Sequence, residues 1–230
     1  MATTGLPEFE SLDQAAEATA ASLVQVASHQ AFQLYQDKEF RRLANFEAFS
    51  QVEQDRIFNE LVVSYAVLIM LMLEAPDLRV PSEFRDYLLA LKEKISQAHL
   101  DSLQSLGVEA EHLQVWKKLM DLRYEEYTKD RHEVRAAAMA MQSSEKPLDF
   151  EDLSKIQMLV PVQTVAIGCH HHVCRGITQG RDDLFKLILR SLSRFYVDMR
   201  IRMEGGKITP LTRARATLNR VIHREGKKKK

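Results

Sequence analysis

The stretch LVVSYAVLIMLML, residues 61–73, decides the fold. It carries no charge, no glycine and no proline. Its apolar side chains point to every side of a helix, and a helix that is apolar all round must be enclosed on all sides. Thirteen residues span about 20 Å as a helix, short of the ~30 Å hydrocarbon core of a bilayer. The stretch therefore reads as the middle of a buried central helix, about residues 50–75, wrapped by other helices, with no transmembrane segment. Ser50 and Glu53 form a capping box at its start, and Pro76 ends it by disfavouring the helical conformation of Ala75.

Working outward, the same logic finds helices on both sides. Ser11 and Gln14 have capping-box spacing, and Leu12, Ala16, Leu23, Val26 and Leu34 recur at helical intervals to about Lys38. A short amphipathic piece follows, with Phe40, Leu43, Ala44 and Phe49. From Ser82 a helix carries Phe84, Leu88, Leu91, Ile95 and Ala98 inward, and Gly107 can supply its left-handed cap. The longest helix, about 109–141, has a stripe of Leu113, Trp116, Met120, Tyr124, Tyr127, Val134, Ala138 and Met141. Arg131 falls within that stripe and is expected at the rim or paired with an acid.

Residues 142–148 are the best linker in the chain. Asp149 then caps a helix with Asp152 in its first turn. That helix carries Leu153, Ile156, Val160, Val162, Val165 and Cys169, and Pro161 predicts a kink because it removes one amide. Asp182 or Asp183 opens a helix with Leu184, Leu187, Ile188, Leu192, Phe195 and Met199 inward, closed by Gly205 and Gly206. Thr209-Pro210 signals a last helix with Leu211, Ala214, Leu218 and Val221 on its inner face. No alternating pattern competes. The expectation is an all-α bundle of about six to seven helices, forming one domain over residues 1–230. A candidate subdivision separates an acidic helical body (1–141), a basic helical part (149–224) and a frayed lysine tail (225–230).

Composition narrows the function classes. Apolar residues make up 45 % and charged residues 28 %, ordinary for a globular protein. The first residues have neither the basic region nor the apolar core of a secretory signal. Cys169 and Cys174 are the only cysteines, too few for a disulfide framework, so a reducing, cytoplasmic setting is expected. The zero net charge hides a division. Sixteen Lys/Arg face five Asp/Glu from residue 175 to 230, a net of +11, leaving −11 on residues 1–174.

Three features could carry chemistry. Cys169, His170, His171, His172 and Cys174 offer thiolate and imidazole, the ligands of zinc and some iron sites. On a helix His170 and Cys174 share one face and Cys169 and His172 another, so further ligands would come from His99, His112, His132 or Glu60. The competing reading makes Cys169 a small core residue and places the histidines at a helix C-terminus, where positive charge suits the dipole. The second feature is a basic surface. Lys186, Arg190 and Arg194 stand four apart over about 12 Å of helix, with Asp182 able to partner the first. Arg213, Arg220 and Arg224 extend the field. Such a surface suits nucleic acid, an anionic membrane, or the acidic surface of another protein or of residues 1–174 of the same chain; the competing reading is a merely solvated face. Third, Glu60 and Ser64 share a face of the central helix; a buried carboxylate there is a catalytic candidate, against the competing readings that Glu60 sits at the bundle's end or pairs with an arginine.

No nucleophile elbow, phosphate loop or dinucleotide fingerprint is present, so the residue chemistry points to no enzyme class. The leading expectation is a non-enzymatic helical interaction, adaptor or regulatory protein that binds a protein partner or itself through charged helix surfaces. A metal-binding bundle with zinc or iron at the His/Cys cluster, and a nucleic-acid or membrane binder, stand as alternatives.

Overall fold

A computed structural model describes residues 11–145 and 147–207. The helices are α1 (Leu12–Gln36), α2 (Lys38–Leu43), α3 (Gln51–Leu73), α4 (Arg85–Ser105), α5 (Ala110–Glu145), α6 (Phe150–Val173) and α7 (Asp182–Met203). Short 3-10 turns occupy Phe46–Ala48 and Ser82–Phe84, and there is no strand among the described residues. The expected last helix (210–221), the lysine tail and the candidate anion-binding residues Arg213, Arg220 and Arg224 lie outside the described residues.

The central position of α3 follows from its sequence. Every residue from Glu60 to Leu73 is buried. α1, α4, α5, α6 and α7 all pack against α3, so the apolar side chains on each side of it find a neighbour. By length and composition α3 would also pass for a membrane-crossing helix, but 78 % of its most apolar window is buried inside the protein. One contiguous core reaches from Ala16 in α1 to Met199 in α7. α6 lies against both α5 and α3, and α5 runs on to Glu145, so residues 142–145 of the expected linker are helical.

Local signals set most helix ends. Ser11 accepts from the Gln14 amide at 3.1 Å. Asp37 closes α1 and caps α2, accepting from the Phe40 amide at 2.8 Å. Asp149 and Asp152 form a reciprocal capping box at the start of α6. Gly107 takes a left-handed φ of +87° at the end of α4. After α7 the Gly206 amide donates to the Ile201 carbonyl at 2.7 Å and Gly205 to Arg202 at 3.1 Å, the paired closure that a glycine in the left-handed region allows. The Ser50 box forms only by half: Ser50 accepts from the Glu53 amide, while the Glu53 carboxylate turns to two arginines. Pro161 lies buried inside α6, which continues through it to Val173.

The inner faces are corrected in several places, among them Phe84, expected inward but 51 % exposed just before α4. Leu12 is 57 % exposed, and the buried stripe of α1 is Ala16, Ala20, Leu23, Val24, Ala27, Ala31 and Leu34. Alanines dominate because α1 runs closely along both α3 and α4, and small side chains allow that approach. On α5 the stripe is buried at Met120 and Tyr127, but Met141 is 75 % exposed, since the helix outruns its neighbours.

Candidate functional site

The His/Cys cluster closes α6, and its side chains diverge. Cys169 is fully buried near Ser64, and burial pushes its thiol up to about 12. His170 is buried with its ring 5.5 Å from that of Phe185. His171 is exposed. His172 reaches across to α5, its Nε2 2.8 Å from Glu126. The Cys174 sulfur lies 3.8 Å from Arg181 Nη1. The further groups proposed as ligands are also dispersed. His99 packs edge-on against Trp116 at 5.1 Å, His132 is exposed, and Glu60 is held by an arginine. Among the described residues, the ligand atoms of one His/Cys/Asp/Glu triple approach within 4.8 Å of each other: Glu109, Glu111 and His112, all exposed. The five cluster residues thus do not share a coordination centre.

What the end of α6 does join is an ionic network. Arg56 of α3 donates to the carbonyls of His172 (2.8 Å) and Val173 (3.1 Å), the orphan acceptors of a helix C-terminus. Glu53 binds Arg56 at 2.7 Å and also holds Arg175. Arg175, then Arg56, hold the Glu53 carboxyl down at about 2 against the opposing effect of burial. Arg175 itself sits at a left-handed φ of +50°, and its amide donates to His172 at 3.2 Å. On the far side Arg123 of α5 grips Glu60 with two bonds of 2.8 and 3.0 Å and Glu126 at 3.1 Å.

The His172 side chain completes this network as a neutral donor. Desolvation and the nearby Arg123 charge lower its pKa, outweighing the pull of Glu126 and Glu60. The contact with Glu126 therefore requires the ring proton on Nε2. Deeper in, the hydroxyls of Ser64 and Tyr127 are buried next to each other and to Cys169. Burial raises the Tyr127 phenol well above its usual range. High thiol and phenol values leave neither group ionised near neutral pH, and they describe a dry structural core.

Two more networks tie helix ends together. Glu74, just after α3, accepts from Arg131 at 2.7 Å and Tyr124 at 2.8 Å, with Lys92 at 3.6 Å; Arg131 thus pairs with an acid, as its place in the stripe suggested. Arg200, buried on α7, binds Asp77 at 2.6 Å and Glu204 at 2.9 Å. Arg200 lies within the basic quarter of the sequence. The signal that it is internal lies in the row Leu184, Ile188, Leu192, Tyr196, whose next member at four-residue spacing is Arg200. Arg56, Arg123 and Arg175 were missed because no local pattern tells which distant carboxylate a cation will meet. A groove of about 780 Å³ opens beside Arg200, between the first turns of α6 at Phe150 and the last turns of α7 at Ile201.

The row Lys186, Arg190, Arg194 lies exposed on α7. Lys186 pairs with Asp183 at 3.0 Å, not with Asp182. Asp198 continues the row four residues past Arg194 and is half-buried. Arg190 and Arg194 make no ion pair with any described residue. Across α5, Asp121, Glu125 and Glu133 are exposed beside half-buried Glu126 and Asp130. Burial first, then Glu126 and Glu133, raise the Asp130 pKa, so these carboxylates are close enough to repel. No known protein family, curated protein or solved structure matches this chain.

Proposed function

We propose that this chain is a non-enzymatic helical interaction protein that docks an acidic surface onto the outward face of α7, with the acidic α5 face of a second copy as the partner. The observation that carries this reading is the different treatment of cations within one basic quarter. Arg175 and Arg200 bind Glu53 and Asp77. Arg190 and Arg194 stand exposed, four residues apart, with no acid of the described chain against them. Like charges in a row favour an anionic neighbour. Glu125 and Glu133 of α5 are exposed carboxylates in the same molecule, with Lys129 between them on the row, and docking them onto Arg190 and Arg194 joins unlike patches, a heterologous contact.

Sedimentation velocity across a salt series tests it. The native chain should self-associate at low ionic strength and dissociate as salt rises. Arg190→Glu with Arg194→Glu should be monomeric throughout, and adding Glu125→Lys with Glu133→Lys should restore association between the two charge-reversed faces. A native chain that is monomeric at low salt and high concentration refutes self-docking. Salt-sensitive binding of duplex DNA or anionic vesicles, lost in the Arg190/Arg194 variant, would assign the face to that partner instead.

A further inference from the structure

A second basic feature lies on α2, which packs against α7. Lys38, Arg41 and Arg42 line a concavity of about 520 Å³ together with Phe46, Glu47 and Gln54. The three cations stand at i, i+3 and i+4, so one helical turn gathers them on one side. Arg41 is held in place. Its guanidinium carbon lies 4.6 Å from the centre of the Phe46 ring and 5.5 Å from that of Tyr35. Its Nη2 reaches Gln54 Oε1 at 3.5 Å. Gln54 is itself fixed, donating to the carbonyls of Phe46 and Phe49 at 3.1 Å each.

The two flanking cations are free to respond to a ligand. Lys38 is exposed and has no ion pair with any described residue. Arg42 is paired with Glu39 at 2.6 Å, with both side chains more than half exposed, and such surface pairs are weak. Three cations against Glu47 leave the lining positive. The helix dipole explains basic residues in the last turn of α2, but not an arginine stacked and clamped at the wall of a concavity.

We infer that this concavity is a binding site for the phosphate group of a small soluble molecule. Arg41 presents a planar fork suited to phosphate oxygens, with Lys38 and Arg42 as flanking charges. The volume lies within the range of small-molecule sites. The site does not depend on the α7 surface, so each can fail alone.

The probe is inorganic pyrophosphate, titrated calorimetrically into the full chain, with sodium chloride matched in ionic strength as the blank. One saturable site is expected. Lys38→Gln, an exposed change, and Arg41→Lys, which keeps the charge but removes the fork, should each weaken binding about tenfold or more, the scale of one charged hydrogen bond. Arg190→Gln with Arg194→Gln should leave the affinity unchanged. Circular dichroism verifies that the variants are folded. Equal affinity in native, Lys38→Gln and Arg41→Lys chains overturns the assignment, as does heat that follows ionic strength alone. Binding to phosphatidic acid vesicles without binding of pyrophosphate also overturns it, because the ligand would then be a lipid surface.

Discussion

Replacing Gly168 by alanine tests how α5 and α6 are spaced. A methyl group built at Gly168 comes within 2.9 Å of Tyr127 Cδ1 and Cζ, and closer still to Cε1. Ordinary carbon contacts begin near 3.5 Å, so the ring or the helix must move by more than half an ångström. Tyr127 is 0 % exposed and has no free space to enter. Overpacking of this kind costs about 1–3 kcal/mol, and a clash with a fully buried ring belongs at the upper end. Alanine also favours the helix over glycine by about 1 kcal/mol. The net expectation is destabilisation of about 2 kcal/mol in the native background. In a Tyr127→Ala background the clash is gone, and the same substitution should stabilise by about 1 kcal/mol. The coupling energy is then about 3 kcal/mol, at the upper end for residues in contact. Guanidinium unfolding of the four proteins, followed by circular dichroism, gives the cycle. Tyr127→Ala alone costs about 3–5 kcal/mol, within reach of a stable domain. If Gly168→Ala costs the same with and without the tyrosine ring, the spacing argument is wrong.

Three further outcomes follow from the ionic groups. Arg123→Ala strands Glu60 in the core and should destabilise by about 3–5 kcal/mol in urea unfolding, while replacing both residues with methionine should cost clearly less. His99 is held neutral, burial lowering its pKa from 6.5 to about 4. The unfolded chain binds that proton first, so stability should fall as pH drops from 6.5 towards 4, and His99→Leu should remove that part of the slope in a pH series of unfolding midpoints. Glu53 has its pKa depressed from 4.5 to about 2. Its contribution is present above pH 4.5 and lost as pH falls towards 2, and Glu53→Gln should flatten the midpoint profile across that window.

The candidate site was legible in part. The exposure of Lys186, Arg190 and Arg194 follows from their four-residue spacing opposite the apolar face of α7, which one helix determines by itself. For Glu60 an arginine partner was one of the readings, because an acid entering an apolar run is costly unless paired. Which arginine was not readable: Arg123 is sixty-three positions away. The His/Cys run shows the opposite case. Its density in sequence suggested metal ligands, but consecutive helical residues point about 100° apart. Cys169 therefore meets α3, His170 meets α7 and His172 meets α5. The concavity on α2 was invisible because Arg41 and Gln54 become neighbours only through the turn at Phe46–Ala48.

The sequence by itself determined the elements of this protein: an all-helical chain, a central helix enclosed on every side, and helix ends at Asp149, Gly107 and Gly205. These depend on periodicity, capping groups and glycine, interactions within a few residues along the chain. Only the tertiary structure decided which cations are internal and which face outward, and where the histidines point. Ion pairs join residues more than a hundred positions apart, as Arg200 joins Asp77. Their partners are fixed by how helices pack, and packing sums many weak contacts that no local pattern records.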